Sequence, residues 1–168
     1  MPSSSVAFGG PAAAALIRPG GGFVSRSVGA RTWAIPEGYI PTWSHGPEPE
    51  FTSHETACLL NASDRDARIR ITIYFSDREP AGPYRVDVPA RRTRHVRFNQ
   101  LEDPEPIPRG TDYSSLIESD VPIVVQHTRL DSRQAENALL TTIAFPVPDS
   151  AGAEPEFESL NTEPGEPI

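Results

Sequence analysis

Over residues 69–75 large apolar side chains occupy every second position: Ile69, Ile71, Ile73 and Phe75 alternate with Arg70, Thr72 and Tyr74. A period of two puts four apolar groups on one face of a strand and charged or hydroxyl groups on the other. Such a strand needs a second layer to cover its apolar face. Residues 84–88 repeat the device, with Tyr84, Val86 and Val88 facing in and Arg85 and Asp87 facing out. The connector between them carries Ser76, Asp77, Pro80, Gly82 and Pro83, so the pair reads as a hairpin with a wide loop.

Further strands are predicted over 31–35, 52–61, 92–98, 122–130 and 138–145, about seven in all, at the spacing of an all-β sandwich. One helical turn is predicted over 112–118, where Asp112 is placed to cap Tyr113, Ser114 and Ser115. No helix of three turns and no β-α-β alternation is legible. That argues against dinucleotide-binding folds and α/β barrels.

Composition sets the boundaries. Of the 31 glycines and prolines in this 168-residue chain, nine fall in residues 1–30 and seven in 146–168, so a single domain is expected over 31–146. Flexible extensions are expected over 1–30 and 147–168, the second an acidic tail with six carboxylates and no base. The net charge of −8 disfavours a general nucleic-acid binder, and all fifteen basic residues are arginine. A single cysteine, Cys58, leaves no intrachain disulfide, so a cytoplasmic location is expected. No run of 18 apolar residues predicts a membrane-inserted segment.

The chain has no nucleophile elbow, P-loop, dinucleotide fingerprint or two-histidine metal helix, and no catalytic residue or cofactor is assigned. Cys58 is read as a small buried apolar group. His45, His54, His95 and His127 lie on separate segments without metal-ligand spacing. The densest basic stretch, 91–98, reads as an edge strand guarded by charge, or as arginines lining an anion or sugar site. Residues 123–125 are strongly apolar, whereas 126–137 turn polar on both faces, so His127, Arg129 and Asp131 are either paired or aimed at a ligand or a neighbouring subunit. Aromatic faces beside carboxylates and arginines suit a sugar. The candidate ligand-binding residues are therefore Trp33, Glu37, His54, Glu55, Asn61, Arg91, Arg92, His127, Arg129, Asp131 and Arg133.

Long strings in the same regions carry a resemblance. They are Trp33-Ala34-Ile35, Glu37-Gly38-Tyr39-Ile40-Pro41, Ser53-His54-Glu55-Thr56, Gly82-Pro83-Tyr84-Arg85, Val88-Pro89-Ala90-Arg91-Arg92-Thr93 and the run from Pro122 to Asn137. With them the chain resembles the sensory rhodopsin transducer family over residues 31–145. The resemblance implies a compact antiparallel β-sandwich, jelly-roll-like, assembled as a homotetramer. It also implies a sensor or transducer that binds a small polar, sugar-like ligand rather than an enzyme, and a microbial rhodopsin or other membrane receptor as partner for some members. Two readings of the residues stand beside it: a DNA-contacting regulator using the arginines of 91–97, and a small cupin-like metalloenzyme using His54, His95 and His127.

Overall fold

The computed structural model describes residues 27–148. Eight strands follow one another: β1 (Ala30–Tyr39), β2 (His54–Asn61), β3 (Ala67–Phe75), β4 (Ala81–Val88), β5 (Arg92–Arg97), β6 (Asp112–Asp131), β7 (Ala138–Ile143) and β8 (Phe145–Val147). A single 3-10 turn, Phe98–Gln100, follows β5. Every strand pairing is antiparallel, as the all-β reading requires. The described strands begin at Ala30 and end at Val147. Of the two expected extensions, residues 1–26 and 149–168 lie outside the described residues.

β3 and β4 form the hairpin that their alternation predicts. Ile69, Ile71, Ile73, Tyr84, Val86 and Val88 all point inward and are buried. They meet Trp33, Leu59, Ile117, Ile123 and Val125 in one core. Burying each such aliphatic side chain contributes roughly 1.5–3 kcal/mol, the term that offsets ordering of the chain.

The helical turn expected over 112–118 is instead the start of a 20-residue strand. Tyr113, Ser115, Ile117, Ser119, Val121, Ile123, Val125 and His127 form one unbroken inward row. Two serines in that row disguise its period, while Tyr113, Leu116 and Ile117 mimic helical spacing. Pairing on both edges decides the matter, because β6 is flanked by β1 and β3. Two smaller differences concern the same region of the fold. β1 continues through Pro36 to Tyr39 with a register shift, and the last predicted strand divides at Ala144 into β7 and β8.

β6 joins the two layers. Its first part pairs with β1 and β3 in a sheet ordered β4-β3-β6-β1-β8. From Val124 onward it pairs with β2, and from Gln126 with β7, while β5 lies on the far side of β2. Pro122, which has no N–H to donate, stands just before that change of partners. Laid out straight, the fourteen steps from Tyr113 to His127 would span about 46 Å at ~3.3 Å per residue. Both side chains nevertheless reach the same carboxylate, that of Glu55. β6 therefore curls through the molecule, and the sheet folds over on itself.

Candidate functional site

Strand parity places Glu55 in the interior. On β2 the inward positions are Glu55, Ala57, Leu59 and Asn61, and the outward ones are His54, Thr56, Cys58 and Leu60. Glu55 lies opposite Arg129 and Ala57 opposite His127, so these four residues share the inner face.

The Glu55 side chain is fully buried, and each carboxylate oxygen accepts two hydrogen bonds. Oε1 accepts from the Tyr39 backbone N–H at 2.7 Å and from Arg129 Nε at 2.6 Å. Oε2 accepts from the Tyr113 hydroxyl at 2.9 Å and from His127 Nε2 at 3.1 Å, which assigns the Nε2 proton to that imidazole. Arg129 is also ion-paired through Nη2 with Glu55, and reaches the exposed Glu37 carboxylate at 2.6 Å. Gly38 makes room for this arrangement: a Cβ there would stand 2.3 Å from Cε2 of the Tyr113 ring. Asn99 secures the same turn of chain, its Oδ1 accepting from the Glu55 N–H and its Nδ2 donating to the Ser53 carbonyl.

Electrostatics follow from these contacts. Burial by itself raises the Glu55 pKa, but hydrogen bonds from His127, the Tyr39 N–H and Arg129, together with the Arg129 charge, outweigh it and hold the carboxyl below its ordinary value. Burial is also the largest influence on Tyr113 and pushes its phenol far up, with the Glu55 charge adding to the effect. For Arg129 burial acts to lower the pKa, and contacts with Glu55 and Glu37 reverse it. The result is a Glu55 carboxylate whose acceptor directions are all occupied by protein donors. It holds β1, β2 and both ends of β6 together, and no vacant lone pair is left for a metal or an attacking water.

The other predicted site residues are placed as follows. Asp131 and Arg133 form a salt bridge at 2.6 Å beside this cluster, with the Arg133 guanidinium 5.7 Å from the Tyr39 ring centre. Hydrogen bonds from Arg133 are what chiefly lower the Asp131 pKa. Trp33 is core: its Nε1 donates to the Ala30 and Ile123 carbonyls, and its ring offers no open face to a sugar. Asn61 lies at the opposite end of β2, buried, donating to the Arg65 and Val88 carbonyls and accepting from Ser63. Arg91 sits there too, in a left-handed turn (φ 56°) with its Nε donating to Asp64. Arg92 is exposed and donates to the Arg91 carbonyl. Trp33, Asn61, Arg91 and Arg92 are thus not gathered with the Glu55 cluster.

His54 projects from the outer face, as does His95, whereas His127 points inward. The three-histidine metal centre does not assemble, and among the described residues no group of three histidine, cysteine or carboxylate side chains is disposed to hold a metal. Cys58 is likewise on the outer face and half-buried rather than in the core. The residue that sequence reasoning missed is Tyr113. Continuing the period of two back from His127 through Val125, Ile123 and Val121 would have reached it.

With the geometry established, comparison with known proteins decides the lineage. The family model described as Anabaena sensory rhodopsin transducer matches residues 28–146. The chain belongs to the sensory rhodopsin transducer family. A solved structure of Anabaena sensory rhodopsin transducer is 64% identical, covering 61% of this chain and 99% of its own, with a TM-score of 0.55. The crystal structure of Thermotoga maritima 1070 is 38% identical, covering 71% of this transducer-family chain and 97% of its own, with a TM-score of 0.64. No curated protein matches. Among the described residues of this family member, no helix is long and apolar enough to cross a membrane.

Proposed function

We propose that this family member is a non-catalytic signal transducer that works through protein contacts, assembling as a homotetramer and relaying the state of a small polar ligand or a membrane receptor. The observation that carries the proposal is the apolar margin of β7 and β8. Leu139, Leu140, Ile143 and Phe145 are 70%, 52%, 60% and 65% exposed, an unusual concentration at one edge of a small domain. A partner surface covers such side chains; a substrate does not need them. The saturation of Glu55 supports the absence of catalysis, since its acid-base capacity is committed to the fold. Light scattering tests the assembly: the wild-type chain is expected at four times its monomer mass, and the double variant L139S/I143S at a smaller mass with its β-rich circular dichroism intact. A monomeric wild type would remove the proposal.

Support for a small polar, sugar-like ligand comes from a cavity of about 290 Å³ beside the Glu55 cluster. Tyr74 and Phe75 supply ring surface there, and Glu37, Asp112 and Ser114 supply polar partners, the combination that a sugar's C–H face and hydroxyls require. Calorimetry against neutral sugars and sugar acids tests this, with E37A and Y74A expected to abolish any heat. A rhodopsin partner is the second reading, favoured by the family's name. Co-purification with a microbial rhodopsin in detergent checks it, and loss of capture in the L139S/I143S variant would locate the contact at β7.

A further inference from the structure

We propose that the outer face of the β5-β2-β6 sheet carries a second, separate site for a small oxyanion, a phosphate or carboxylate group, held by Arg97, His54 and His95. Register brings these groups together. Arg97 lies directly opposite Thr56, which lies opposite Thr128, and one row along the sheet His95 lies opposite Cys58. Direct partners in antiparallel strands have Cβ atoms about 4.5–5.5 Å apart, so the rows make a compact patch. His54 and Gln100 close one end of it. These side chains line a groove of about 450 Å³, within the range of small-molecule sites.

The charge of that groove is out of keeping with the chain. The protein carries −8 overall, yet among the described residues no carboxylate lines the groove; Glu48 and Glu50 flank the lining residue Pro49 without lining it themselves. None of Arg97, His54 and His95 is ion-paired with a carboxylate among the described residues. Arg97 is anchored through Nη1 to the Pro49 carbonyl, which orients its guanidinium and leaves Nη2 and Nε as donors. His54 is oriented in the same manner, Nδ1 meeting the Thr52 carbonyl at 2.7 Å, so that Nε2 faces away from that anchor. Thr56, Thr128 and Gln100 add neutral donors. An oriented guanidinium beside imidazole ring nitrogens, with hydroxyls between them, matches an oxyanion, which accepts several hydrogen bonds at once, charge-assisted from the arginine. A neutral sugar would leave this positive charge unbalanced, so the groove and the cavity beside Glu37 differ in the ligands they suit.

The test is a titration of the full-length protein with inorganic phosphate in a buffer free of other oxyanions, followed by NMR of the histidine ring signals. Phosphate at millimolar concentration is expected to shift His54 and His95 and to leave His127 unmoved, because His127 is buried on the opposite face of the same sheet. Acetate in a parallel titration, shifting the same signals, identifies the carboxylate as an equivalent source of the oxyanion. R97Q is expected to weaken phosphate binding about tenfold while the melting temperature holds. Static His54 and His95 signals, or undiminished binding by R97Q, would overturn the proposal. Glucose shifting neither signal is the expected control.

Discussion

The inner and outer faces of β2 put the same residue types to opposite uses. On the inner face Glu55, His127 and Arg129 are closed upon one another, with the Tyr113 hydroxyl and Tyr39 N–H completing the set. On the outer face His54, His95 and Arg97 contact backbone carbonyls or solvent, and among the described residues no carboxylate lines their groove. Burial accounts for the difference: a charge taken from water must be paired and hydrogen-bonded, whereas one at the surface is solvated and stays available. On this sheet the parity of its position on the strand decides whether a histidine or arginine is closed into the interior or left on the surface.

Breaking the inner face should have the largest effect. Glu55→Gln replaces a carboxylate with a group that presents its own N–H atoms to donors, and is expected to destabilise the fold by about 3–5 kcal/mol. Urea denaturation would measure it, and a loss under 1 kcal/mol, on the order of a surface pair, would show that the cluster is not what joins the layers. Acid should act on the same group. The folded-state pKa of Glu55 is lowered, so its stabilisation is complete above its ordinary value of 4.5 and is lost as pH falls through the lower folded value. Melting temperature is expected to fall below that ordinary value more steeply in wild type than in Glu55→Gln, and parallel profiles would contradict the assignment.

Tyr113→Phe leaves Oε2 with His127 as its single donor and should cost about 1–3 kcal/mol. Gly38→Ala presses against the same ring and is expected to cost a similar ~1–3 kcal/mol by overpacking. Equilibrium unfolding of the two single variants and the double variant sharpens this, because a shared cause makes their costs less than additive. On the outer face, His95→Asn should change stability by no more than about 0.5 kcal/mol, which thermal unfolding resolves. Arg91→Gly is the smallest case: its left-handed backbone suits glycine, so the melting point should hold or rise slightly despite loss of the Asp64 contact.

Much of the scaffold was legible because alternation survives in a single chain. The Ile69–Phe75 pattern gave β3 with its inward face, and Tyr84, Val86 and Val88 gave β4. Pairing of Glu55, His127 and Arg129 was foreseeable in kind, since buried charges require partners. The start of β6 is hidden in the sequence because Ser115 and Ser119 occupy inward positions where a strand pattern calls for apolar groups. Trp33 is core, yet an aromatic residue beside carboxylates looks the same in sequence whether its ring is packed or open to a sugar. The outer-face groove draws residues from β2, β5 and β6 that no spacing connects.

From sequence alone came the strands, the alternation of their faces and therefore which side chains share a surface, for these depend on a local period of two. Tertiary structure decided which surfaces meet. The curl of β6 returns Tyr113 to the carboxylate that His127 also reaches, and the distance between two positions on a strand depends on curvature and register that no local period encodes.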